Sequence, residues 1–331
     1  MRRAQGNAEL RLEAEAPESY VVKVDTGEIT GYELAFEPYL FNKAEHLVTQ
    51  QRQNPVSIGV WHSESKRLIA LLHLDHNGTE ALSLPQAPFG GLQAVPGLSA
   101  DTLDALLWTT EQWCIGNQLH RLVIKTPPEA YDKKQAAILR TMYDRCHFTI
   151  LHTHINHHIR ITSAPFIDRI HPSERRRLRK CLRMGFSAEL WKDPDPAQLY
   201  DFLSESRRRQ GYLLSLDYEQ FRLLLTYLPD QVRVVVIKDK NQIVSLTVAI
   251  RVSSQILYNF CPADNLDYRT YSPMVLLNSF LYEHAQSSGI KLIDLGVSLD
   301  HLGNEKASLM RFKENLGAER SEKMTYEKVF S

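Results

Sequence analysis

Cysteine is scarce in this sequence. Four residues in 331 (Cys114, Cys146, Cys181 and Cys261) lie far apart, and no two form a CxxC pair. That excludes a disulfide-stapled framework and a cysteine-based zinc site, and the thiols read as reduced and mostly buried. A charge of one sign is lacking too. Thirty-nine basic side chains balance thirty-nine acidic ones, so no global field announces a nucleic acid or a membrane. No apolar run approaches the ~20 residues needed to cross a bilayer. The opening MRRAQGNAELRLEAEAPES has no apolar core of signal-peptide type, and the expected location is the cytoplasm. There is no GxSxG, no Walker-type GKS or GKT, and no zinc-metalloprotease helix.

What is present is the composition of a chain that buries real cores: 43% hydrophobic and 24% charged. Its length favours two domains, or one unusually large one. Residues 1–19 are acidic-polar and expected to be disordered or loosely packed. From Gly31 the pattern predicts a helix over about 38–51, strands at 56–62, 67–75 and 79–84, and a helix over about 100–116. A strand at 120–125, a helix at 132–145 and a strand at 148–161 follow. Helices are expected around 173–184, 196–210 and 217–227.

The last third is the most informative. VRVVVIK (232–238), QIVSLTVAI (242–250) and QILYNFC (255–261) are β-branched and aromatic runs separated by DKN and VSS. A helix over 273–288 has Ser272 placed to cap it and Pro273 in its first turn. KLIDLG then supplies a short buried strand, and a helix carrying RFKENLG and a final strand close the chain. The two halves share this succession without sharing letters, which reads as two copies of one α/β unit joined near Thr162–Pro172.

Four blocks carry a family resemblance: RRRLRKCLRMGF (175–186), SESRRRQGYL (204–213), NFCPADNLDYRTYSPMVLLNSFLYEHAQSSGIKLIDLG (259–296) and RFKENLG (311–317). Together they resemble the FemAB-like transferases, relatives of the Fem-type peptidoglycan bridge enzymes built from tandem GNAT-fold domains. The resemblance covers roughly 160–331; residues 20–164 match in element order only. It implies an α/β (α+β) chain of two GNAT-like domains, 20–164 and 165–331, each a mixed, largely antiparallel sheet flanked by helices. Two departures stand out. YRTYSP replaces the Gly-rich segment with which ordinary GNAT enzymes hold acetyl-CoA, and the helical arm of some Fem ligases is missing.

Transfer of an acyl group to an amine needs a deprotonated nucleophile, a stabilised oxyanion and a positioned carrier. Lys313 is the candidate fixed cation, and the resemblance places donor binding there, beside Phe312. Asp294, at the carboxyl end of a buried strand, can accept a proton or orient the amine. Tyr258 and Tyr271 can offer hydroxyls to the leaving group or carrier. Ser272 and the amides behind Pro273 can cradle a phosphate, with Tyr268 in the same loop. The basic run from Arg175 to Arg183, with Arg177 named for binding, surrounds an expected apolar stripe of Leu178 and Leu182. It reads as a phosphate clamp or as a solvated helix. Of Arg207, Arg208 and Arg209, the resemblance implies one facing a cleft, taken here as Arg209.

LHTHINHHIRI invites a metal reading, since His152, His154 and His158 share one strand face. No cysteine or carboxylate pattern joins them, so no metal is expected. The functional expectation is an N-acyltransferase with acyl-CoA or aminoacyl-tRNA as donor and a small-molecule or cell-wall-precursor amine as acceptor. The alternative is a catalytically inert relative that binds a phosphate-bearing cell-wall or lipid precursor.

Overall fold

The structure, a computed structural model, describes residues 9–12, 20–26, 32–50, 52–211, 213–300 and 302–330. The chain separates into two compact units, Met1–His154 with Glu322–Ser331, and Ile155–Ser321. Each has its own apolar core.

In the first unit, strands Glu9–Leu12, Tyr20–Asp25, Pro55–His62, Leu68–His76 and Glu80–Leu82 pair antiparallel in that order. The helix Ala100–Gly116 then crosses over, and Arg121–Lys125 adds in parallel to Glu80–Leu82. Val22, Ile58, Leu72, Leu106, Leu122 and Tyr143 sit in its core. Of the terminus expected to be loose, only Glu9–Leu12 falls among the described residues, and it is a strand. The helix expected over 38–51 is not continuous. A 3-10 turn at Leu40–Asn42 and a short helix at Ala44–Leu47 are separated by Lys43 in an extended conformation. Side-chain bonds compete with the helix here: Asn42 Nδ2 donates to Gln93 Oε1 at 2.8 Å, and the Tyr39 amide bonds the same oxygen.

The second unit repeats the plan. Strands Ser187–Leu190, Val232–Asp239, Gln242–Arg251 and Ile256–Asp264 form an antiparallel meander. The helix Pro273–Ser287 crosses over its face, and Leu292–Val297 pairs in parallel with Ile256–Asp264. Alternation along the strands sends Val235, Ile237, Val244, Leu257 and Ile293 into one core with Val275, Leu281 and Tyr282 of the crossover helix.

The repeat has a twist that a linear reading does not show. The strand Thr149–Arg160 follows the first unit's helix Lys133–Arg145 in sequence, yet its residues 156–160 pair with Leu292–Val297 in the second unit. The strand Glu319–Val329 follows the second unit's last helix, yet its residues 325–329 pair with Arg121–Lys125 in the first. Each unit is thus completed by the strand that follows the other in sequence. The expected segments 20–164 and 165–331 are both contiguous, whereas the first compact unit is made of two stretches, Met1–His154 and Glu322–Ser331.

Candidate active site

Two parallel strands define the site. Ile256, Leu257 and Tyr258 pair with Leu292, Ile293 and Asp294, and there the ladder stops although both strands run on, to Asp264 and Val297. Each strand carries a bulge at this point. Ala249 pairs with Asn259 and Val248 with Cys261, so Phe260 is an extra residue. Across the gap, Asp294 pairs with His158 and Gly296 with His157, which makes Leu295 the extra residue. Bulges bend strands and release backbone groups from the ladder, so the strands part just past Tyr258 and Asp294.

Gly296 lies at the centre of what gathers there. It has φ +70°, a left-handed conformation that other L-residues adopt rarely, and a Cβ built on it would lie 3.3 Å from Tyr258 Oη. Its amide donates to Asp294 Oδ1 at 2.7 Å, and Asn156 Nδ2 donates to the same oxygen at 2.7 Å. Its carbonyl accepts from Lys313 Nζ at 2.8 Å, and the Val297 carbonyl accepts from that nitrogen at 2.9 Å. Asp294 and Lys313 are both buried. Burial pushes the Lys313 ammonium down to about 8, a shift that the Asp294 carboxylate partly opposes. Burial, and next Asp294, hold the Tyr258 hydroxyl proton well above the ordinary tyrosine range. The structure thus brings together Tyr258, Asp294 and Lys313. Phe312, partly buried, packs against the core.

The remaining candidates lie elsewhere. Tyr271 packs edge-on against Phe186 at 5.6 Å, with Lys180 Nζ 4.7 Å from its ring centroid. The Tyr268 hydroxyl is tied to the Val232–Arg251 hairpin, donating to Gln242 Oε1 at 3.0 Å. Ser272 does not cap its helix. At φ 59° and ψ 53° it is left-handed, and its Oγ donates back to Arg269 O at 3.4 Å instead of accepting from the first turn. Pro273 has no N–H, and the Val275 amide bonds Ser272 O, so this turn offers a phosphate few donors. Arg209 pairs with Asp267 at 2.7 Å; Arg207 is the arginine that reaches a strand, donating to Pro262 O at 3.1 Å. Arg177 pairs with fully buried Glu174 at 2.7 Å.

Sequence reasoning passed over Asn156, His157 and Glu314. His157 is buried, with Nε2 3.7 Å from Glu314 Oε1. Burial, and then Lys313, bring its pKa down to about 4, so it is neutral at pH 7. The metal reading fares differently at each histidine. His152 and His154 stack at 5.6 Å, while His158 is buried with Nε2 3.6 Å from Glu319. Among the described residues no group of His, Cys, Asp and Glu is placed to hold a metal ion. A cavity of about 300 Å³ opens in the first unit, lined in part by Tyr39, Leu92, Glu129, Asp132 and Tyr326. Two of its carboxylates are engaged, Glu129 with Arg140 and Asp132 as a helix cap.

Residues 173–314 match the family model of an acetyltransferase (GNAT) domain, and all of them lie within the second unit. No curated protein matches the chain. Among solved structures, the chain is similar to FemX, with a TM-score of 0.67 and 13% identity over 89% of this chain and 93% of that one. It is similar to L-PGS from Bacillus licheniformis, with a TM-score of 0.54 and 12% identity over 78% and 80%. A tandem GNAT protein from the clavulanic acid biosynthesis pathway, solved without AcCoA, gives 0.51 and 14% over 83% and 82%. At such identities the likeness establishes the fold, and the expectation of mixed-sheet, tandem GNAT architecture holds. Among the described residues no helix is long and apolar enough to cross a membrane.

Proposed function

We propose that this chain transfers an acyl group from an acyl-CoA thioester to a primary amine, with Tyr258, Asp294 and Lys313 at the chemistry. The observation that carries the reading is their convergence around Gly296, where the two parallel strands part. The family model matched by residues 173–314 favours the thioester donor.

The amine nitrogen attacks the thioester carbon, forming the C–N bond as the carbonyl π pair moves onto oxygen. Lys313, fixed by two carbonyls in a dry site, faces that charge. Collapse re-forms the carbonyl and breaks the C–S bond. The proton that the amine gives up passes through the Tyr258 hydroxyl to the departing thiolate, so Tyr258 ends protonated as it began. Asp294, whose Oδ1 already accepts two bonds, acts as the charge partner of Lys313 and orients the amine.

Isothermal titration with acetyl-CoA, a panel of acyl-CoAs and charged tRNAs tests the donor, followed by turnover with amine acceptors. Micromolar binding of an acyl-CoA is expected, and silence across the whole panel would remove the proposal. One observation favours the inert alternative: the crossover helix begins with a proline behind a left-handed serine, a poor grip for a pyrophosphate. An inert protein would bind a phosphate-bearing precursor with no turnover in the presence of any acyl donor.

A further inference from the structure

The basic helix Pro172–Arg183 packs through Glu174, Leu178 and Cys181, all buried. It is tied to the loop ahead of the crossover helix: Lys180 Nζ donates to Thr270 O at 2.9 Å and Cys181 Sγ to Tyr271 O at 3.0 Å. Arg175 is engaged by the carbonyls of Ile170 and Asp168, and Arg177 by Glu174. Arg176, Arg179 and Arg183 remain, spaced three and four apart on the exposed face, with no hydrogen-bond or ion-pair partner among the described residues. Beside them Leu182 is 56% exposed and Met184 49%.

We infer that this face is a docking surface for an anionic lipid bilayer. Three unpaired guanidinium groups on one helix face complement phosphate headgroups, and a cluster of cations is what a negatively charged leaflet attracts. The two apolar side chains mark a lipid surface over a nucleic acid: they gain by entering the headgroup boundary, and the helix carries no aromatic residue on which a base could stack. Neutral overall charge is no obstacle, because screening leaves attraction to the groups within roughly 10 Å of the membrane. The inference stands apart from acyl transfer. It makes the protein peripheral, held by charge and shallow insertion.

The test is co-sedimentation of the full chain with vesicles of about 25% phosphatidylglycerol in phosphatidylcholine, against pure phosphatidylcholine, with no acyl donor present. Binding to the anionic vesicles alone is expected, weakening at least about tenfold as salt rises from roughly 50 to 200 mM. Arg176→Glu, Arg179→Glu and Arg183→Glu combined should reduce it at least about tenfold. Leu182→Ser with Met184→Ser should weaken it severalfold at unchanged charge. Circular dichroism checks the fold, and the corresponding Arg→Gln triple serves if charge reversal disturbs it. Equal binding to neutral vesicles, or a triple variant that binds like the parent, overturns the proposal. So does tRNA binding that needs the arginines and is indifferent to Leu182 and Met184. Because no donor is used, failure here leaves the acyl-transfer reading standing.

Discussion

Lys313 is the side chain whose burial has the clearest measurable consequences. Its ammonium is brought down to about 8 from 10.5, so between those values the unfolded chain holds more protons than the folded one. Stability contributed at this site therefore rises with pH across that window, and below about 8 a penalty of roughly 3 kcal/mol is fully present. Urea denaturation of the parent and Lys313→Met at pH 7 and near 10.5 should show the parent gaining on the variant by that order as pH rises. In catalysis the sign is opposite, because the charged form faces the oxyanion: kcat/KM should fall above pH 8, and Lys313→Arg should abolish that alkaline limb. Lys313→Ala should lower kcat/KM about a hundredfold or more. Gly296→Ala meets both a left-handed backbone and the Tyr258 ring, so a loss of about 1–3 kcal/mol is expected in thermal or denaturant unfolding. Asp294 and Lys313 were legible as candidates because each sits in a short, position-marking block, IDLG and RFKENLG. Asn156 was not, because its partner Asp294 lies 138 residues away and only strand pairing brings them together.

At the scale of elements, periodicity located the first two strands of the meander and the crossover helix closely and ended the third at Cys261 where it runs on to Asp264, since each buries one face on the same core. It misjudged the basic helix. The stripe expected from Leu178 and Leu182 is instead Glu174, Leu178 and Cys181, with Leu182 turned to solvent. Nothing in a hydropathy pattern ranks a glutamate as a core residue. Glu174 is fully buried because Arg177 meets it, and that pair changes what Arg177 is for. Arg177→Ala should leave a buried carboxylate without its cation. As the guanidinium is half-exposed, a loss of about 1–3 kcal/mol in denaturant midpoint is expected. A residue that held substrate would instead raise KM and leave stability unchanged, so the two measurements separate the roles. The bulges at Phe260 and Leu295 were also invisible: each strand reads as unbroken, and the extra residue emerges only against its neighbour's register.

For the whole molecule, the repeat of element order was readable and the exchange of final strands was not, because Thr325–Val329 pairs with Arg121–Lys125, where Arg121 and Glu327 lie 206 residues apart in sequence. Its consequence is asymmetric. The first unit depends on residues from the far end of the sequence, and Met324 and Tyr326 sit in its apolar core, Tyr326 stacked on Tyr143 at 4.4 Å. A chain ending after Ser321 should therefore strip the first unit of an edge-closing strand and two core side chains while leaving the pairing and core of Ile155–Ser321 intact. Losing two large buried side chains removes about 5 kcal/mol or more from the first unit, comparable with the whole stability of a domain. Hydrogen exchange on the truncated protein should show protection lost along Tyr20–Asp25, Pro55–His62 and Arg121–Lys125 and retained along Val232–Asp239 and Gln242–Arg251. Protection surviving in both sets would mean that the first unit closes its sheet without the final strand, and that the exchange is not what completes it.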